Sequence, residues 1–237
     1  MKSICLWLIF VAVPLLALNA QSDAGPPIRA DLSSYLRDVQ TDFSQTFVPM
    51  GWSKDGKFAS IQISAVLPPS PDPTITYVIF DTVEDAVVWS RSDDSSSWLP
   101  QDREAEDKLP LSWSQNSVDF KDAMKKAGIS LGQGVQFLPF PLKAGGDVFS
   151  CQVVKNGQKS ETKIVVASEK KGRKTVTSLP LSDETDETAY AAGYFVSPWE
   201  PRILVVVAVQ QPVMDAASLM SFHFSGCLLT KGFSPAR

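Results

Sequence analysis

One histidine stands in the chain, His223, between Phe222 and Phe224. On an alternating strand its imidazole faces opposite the two rings. A Ser-His-Asp or Cys-His relay needs partners fixed around the imidazole. Nothing in the sequence marks the nearby Cys227 as a nucleophile of lowered pKa. His223 therefore reads as an ordinary surface or satisfied histidine. One histidine with Cys151 and Cys227 is too little for a nitrogen–sulfur zinc site, so no metal residue is expected. No G-x-S-x-G elbow, phosphate-binding loop or dinucleotide fingerprint occurs, and no catalytic residue and no cofactor are assigned. The acidic stretches lack the spaced ligands of a calcium loop and read as solvated loops. Paired carboxylates for glycoside hydrolysis are defined by separation in space, so a secreted carboxylate-dependent hydrolase stays open as an alternative.

Aromatic and basic residues offer binding rather than reaction. Trp98 follows Ser95-Ser96-Ser97 in a polar loop and is the candidate contact residue. Exposed tryptophan anchors partner proteins or sugars; a loop folding its ring back onto the core is the other reading. Of Trp52, Trp89, Trp113 and Trp199, most are expected in the core because of their bulk. Lys170, Lys171, Arg173 and Lys174 gather at a hairpin tip. A solvated turn that blunts a sheet edge accounts for them. Anion or surface binding is the sharper alternative.

The compartment is read from the first residues. Met1-Lys2 is a basic start, residues 4–18 are an unbroken apolar run, and Asn19-Ala20 leads into polar Gln21-Ser22-Asp23. That is the pattern of a cleavable signal peptide over residues 1–20. The apolar run falls short of the roughly 20 residues that span a bilayer. An exported protein, periplasmic or extracellular, is expected. Cleavage removes Lys2 and takes the net charge from −4 to about −5, which argues against a nucleic-acid partner. Cys5 leaves with the signal. Cys151 and Cys227 remain, either paired, for about 4 kcal/mol in chain-entropy terms, or as two buried free thiols.

The elements that must position these residues are mainly strands. Residues 21–30 form a flexible lead-in, and residues 31–237 one mainly-β domain with a boundary to be tested near 90–110. Asp31 could cap a helix with Leu32, Tyr35, Leu36, Val39 and Phe43 on one face. Residues 56–66 alternate as a half-buried strand. Residues 74–80 and 86–89 continue the β pattern across an Asp81–Asp85 turn. Residues 90–110 are a polar loop. A helix follows, with Ser112 and Gln115 as a capping box, Phe120, Met124 and Ala127 in register, and Gly128 just past its end. Residues 148–154, 164–166 and 175–179 form an antiparallel meander whose first turn is Asn156-Gly157. Residues 203–209, ILVVVAV, are a strand buried on both faces, paired with a last strand over 219–230.

Gly51-Trp52-Ser53-Lys54-Asp55-Gly56-Lys57-Phe58 resembles the W-S-x-D-G-K segment of TolB-type and WD40-like propeller blades. Residues 77–81 and 87–89 fit the later strands of such a blade, so the likeness runs over residues 47–90. Ser197-Pro198-Trp199 and the strand after it are an echo over 195–209. The arrangement is similar to small uncharacterised secreted bacterial proteins that carry one such motif. The resemblance implies a fold element, not an activity. A closed propeller needs at least four blades of roughly 40 residues, more than this chain holds. The expectation is an α+β protein, mainly antiparallel sheet with one or two packed helices. In function it is an exported non-enzymatic binding protein whose partner is another envelope protein or a surface glycan. A carbohydrate or small-ligand module is the further alternative.

Overall fold

The structure, a computed structural model, describes residues 43–64, 74–94, 105–155, 161–181, 186–212 and 218–235. The signal peptide, the lead-in, Trp98 and the Asn156-Gly157 turn lie outside the described residues. So does the Asp31 helix, except that Phe43, read as its last face residue, opens a strand instead.

The chain begins with an antiparallel run of β1 (Phe43–Ser53), β2 (Lys57–Ser64), β3 (Thr74–Asp81) and β4 (Ala86–Asp94). The Asp55-Gly56 turn joins the first two strands as its residue types require. Gly56 sits at φ +88°, which side chains disfavour. The Ser53 hydroxyl accepts the Lys57 amide at 2.8 Å and donates to the Asp55 carboxylate at 2.5 Å.

Helix α1 (Ala105–Lys126) packs on this sheet. It starts well before the expected Ser112 cap, and Pro110 lies inside it. The apolar stripe explains the difference. Leu109 and Trp113 extend the Phe120–Met124 spacing backwards by whole turns, and all four join the buried residues of β1–β3 in one cluster. Ser112 is thus a buried helix residue whose hydroxyl shares a 2.8 Å hydrogen bond with Tyr77. Asn116 donates to Asp93 of β4 at 2.9 Å and to the Ser112 carbonyl at 3.0 Å. Burial pushes the Tyr77 hydroxyl up to about 12, so it stays protonated in this latch. Gly128 ends the helix at φ +69°, its N–H bonded to the Lys125 carbonyl.

Short strands β5 (Ile129–Leu131) and β6 (Leu142–Ala144) precede the meander of β7 (Asp147–Lys155), β8 (Glu161–Ser168) and β9 (Gly172–Pro180). The register runs from Phe149–Ser168 to Lys155–Thr162, which makes β7 and β8 an antiparallel pair. Then come β10 (Thr188–Val196), β11 (Arg202–Pro212) and β12 (Ser218–Leu228). β10 went unread in the sequence because its alanines and Gly193 carry little β signal.

Hydrogen bonding links one sheet in the order β10-β11-β12-β1-β2-β3-β4, with β5 beside β1, and a second sheet β6-β7-β8-β9. The join between β12 and β1 is short and parallel, at Phe43–Leu219 and Ser44–Met220. Alternate side chains of β11 then enter two different cores. Ile203, Val205, Val207 and Val209 meet Phe149, Ile164, Val166 and Leu179 of the four-stranded sheet. Leu204, Val206 and Ala208 meet Trp52, Phe58, Val78 and Phe80 of the first sheet. The long sheet therefore folds back on itself, and β11 is a wall shared by both cores. Its unbroken apolar run is the sequence form of that position. The architecture is α+β, mostly antiparallel, and not a closed propeller.

Candidate functional site

Trp89 is half-buried on β4, with its indole stacked on Phe120 of α1 at 5.5 Å and 19°. The sheet alternation aims it at the helix, and it stays half-buried there. The result is a groove of about 630 Å³ beneath the last turns of α1. Ile79, Trp89, Ala123 and Ala127 supply its apolar surface, while Lys57, Arg91, Asp119, Asp122 and Lys126 supply charge of both signs. The size lies within the usual range for ligand clefts. Arg91 on β4 and Asp119 on α1 form an ion pair across it, and Lys57 pairs with Asp55. The Lys57 ammonium is the largest cause holding the Asp55 carboxyl below its ordinary 3.8, with the Ser53 hydroxyl next.

Beside the groove, Val88 is the extra residue of a bulge, because Ile79 pairs with Trp89 while Phe80 pairs with Val87. Val87 and Val88 are 55% and 49% exposed. The bulge bends the rim strand and blunts it against strand pairing. Recognition here falls to side chains.

A second concavity, about 460 Å³, holds His223 with Glu187, Leu179, Leu181, Val209, Gln211, Met220 and Ser221. Burial holds the His223 imidazole below its usual 6.5, and the Glu187 carboxylate opposes that in part. Phe222 and Phe224 turn to the other core, as strand alternation requires. Cys227 shares the face of His223, but four residues of strand separate them by about 13 Å, so they form no dyad.

Cys151 and Cys227 are both free thiols at the same core. Burial pushes Cys151 up to about 12, with Cys227 adding to the rise, and pushes Cys227 up to about 11. Neither is a poised nucleophile.

The basic hairpin tip is more than a solvated turn. Lys171 donates to the Leu229 carbonyl at 2.8 Å and Lys174 to the Leu228 carbonyl at 3.1 Å. Of the tryptophans expected inside, Trp52 is fully buried with its indole N–H on the Gly134 carbonyl at 3.1 Å, and Trp113 is buried against Tyr77. Trp199 is 43% exposed, with Lys54 over its ring at 5.5 Å. The sequence missed Trp89 as a site residue because a tryptophan on a strand reads as core. Its signal lies in the charged α1 positions 119, 122 and 126, which meet it only in space. Among the described residues no His/Cys/Asp/Glu group could hold a metal ion, and no helix is long and apolar enough to cross a membrane. The chain matches no protein-family model, no curated protein and no solved structure.

Proposed function

We propose that this chain is an exported, non-enzymatic binding protein that takes an extended segment of a partner protein in the groove between β4 and α1. The observation that carries this reading is the half-buried Trp89 indole on the groove wall, rimmed by Arg91, Lys126, Asp119 and Asp122. An apolar side chain would rest on the ring, and a mixed-charge rim suits polar side chains of either sign on both sides of it. Asp119 is engaged by Arg91, which favours binding over the acid–base work of a hydrolase. The proposed export rests on the residue 1–20 pattern.

The test is a displayed-peptide library and a glycan array, each probed with the wild type and with Trp89→Ala. Peptide binders that lose at least tenfold affinity to the variant support the reading. Glycan binders lost in the same variant would replace the protein partner by a surface glycan. Peptide binders that ignore Trp89→Ala and Arg91→Ala would overturn the site.

A further inference from the structure

The end of the four-stranded sheet at the β8–β9 turn gathers cations. Lys170 and Lys171 lie in the β8–β9 turn, Arg173 and Lys174 open β9, and Lys231 follows β12. Two of these ammonium groups are fixed. Lys171 and Lys174 bond the consecutive carbonyls of Leu229 and Leu228. Both sit over the Phe233 ring, at 6.0 and 5.9 Å, and Lys171 also lies 5.2 Å from the Phe149 ring. The bridge between Arg173 and Ser234 ties this C-terminal segment to β9 and holds the rings in place.

An ammonium has three donors. Each of these lysines spends one on a carbonyl, and an aromatic face takes none of the others in a hydrogen bond. The side chains of Lys170, Arg173 and Lys231 are exposed and enter no hydrogen bond or ion pair among the described residues. Two acids lie near these five cations and offset them only in part, the Asp147 carboxylate feeling the Lys171 ammonium. Asp147 is buried and spends its oxygens on the Ser168 hydroxyl at 2.6 Å and the amides of Val148 and Lys170. Glu169 is exposed on the same turn. In a chain of net charge −4, this is a concentrated positive field with two pre-placed charges at its centre.

We propose that Lys171 and Lys174, flanked by Lys170, Arg173 and Lys231, form a binding site for a phosphoryl group. Pre-placed ammonium groups lose little freedom on meeting an oxyanion, and phosphate offers acceptors enough for both. Free phosphate and a phospholipid headgroup present the same chemistry.

Two arms separate these sources, using the full chain secreted by its host. In the first, sodium phosphate is titrated against sodium chloride at matched ionic strength and amide shifts are followed by NMR. In the second, the protein is sedimented with phosphatidylcholine vesicles with and without phosphatidic acid. Binding is expected in at least one arm, with residues 170–174 shifting or protected. A response in the first arm alone assigns free phosphate, and in the second alone the headgroup. Lys171→Gln with Lys174→Gln should weaken binding at least tenfold. Because these lysines also hold strand carbonyls, a second variant carries Lys170→Gln, Arg173→Gln and Lys231→Gln. It should keep the wild-type Tm and lose several-fold affinity. Silence in both arms overturns the proposal. So does wild-type binding by the triple variant, or an equal loss in a Lys125→Gln, Lys126→Gln control on α1.

Discussion

The carboxylate of Asp85 accepts the backbone N–H of Gly226 at 2.8 Å, and its other oxygen takes the Ser225 hydroxyl at 3.0 Å. This pins the β3–β4 turn onto β12 on the far side of a core. Arg202 reinforces it from β11, donating to the Thr82 carbonyl at 2.9 Å. Asp85→Ala is expected to cost about 0.5–1.5 kcal/mol, since the Gly226 amide and the Ser225 hydroxyl lose their acceptor. Asp85→Asn keeps an acceptor and tolerates the φ of +56°, so it should cost less. Urea unfolding of the two variants checks the order.

Gly226 is where the turn comes closest. A Cβ there would stand 1.8 Å from the Thr82 carbonyl oxygen, a backbone atom that cannot rotate away. Gly226→Ala should therefore destabilise more than Asp85→Ala, by displacing the turn and its hydrogen bonds together. Thermal unfolding decides it; a variant as stable as wild type would mean that the β3–β4 turn and β12 do not meet there.

Phe120 is the centre of the helix–sheet core, with Tyr77 at 5.2 Å, Trp89 at 5.5 Å and Trp113 at 6.5 Å. Phe120→Ala should cost about 3–5 kcal/mol. The Arg91–Asp119 pair beside it is exposed on both sides, so Arg91→Ala should cost no more than about 1 kcal/mol. The contrast is the test of whether Arg91 serves the groove rather than the fold.

One carboxylate and two thiols set opposite pH limits. The Ser168 hydroxyl, foremost among its partners, holds Asp147 below its ordinary 3.8. Its contribution is present above that value and is lost as pH falls through the lowered one. Asp147→Asn should reduce Tm at neutral pH, and the deficit should shrink in acid. The buried thiols act at the other end. Their protonated forms are favoured in the fold, so their contribution is complete below the ordinary 9.0 and fades as pH rises towards 11 and 12. A Cys151→Ala, Cys227→Ala chain should show a flatter alkaline decline. Iodoacetamide at pH 8 should label the native thiols slowly and the unfolded ones fast.

How much of this could be read in advance depends on whether the signal was local. The β11 run, the Asp55-Gly56 turn, the Gly128 helix end and the meander all follow from nearest-neighbour pattern, and each stands in the fold. The start of α1 was misplaced because Ser112 and Gln115 imitate a cap, while Tyr77, remote in sequence, gives Ser112 a buried partner instead. β10 hid behind alanines whose strand character comes only from packing beside β11. The groove was invisible for the same reason. Trp89 and Asp119 are thirty positions apart in chain order, roughly, and only the α1 packing angle brings them together.

The position of β11 also bears on how the molecule is made. Until residues 202–212 have left the ribosome, neither the inner face of β1–β3 nor that of β7–β9 has its opposite wall. The first sheet and the meander cannot substitute for each other, because each is shaped to one side of the same late strand. A chain cut short before Arg202 is thus two half-shells with open apolar faces, prone to stick to one another. Assembly is a closing event governed by β11, and the parallel β12–β1 pairing at Phe43–Leu219 and Ser44–Met220 is its natural seal.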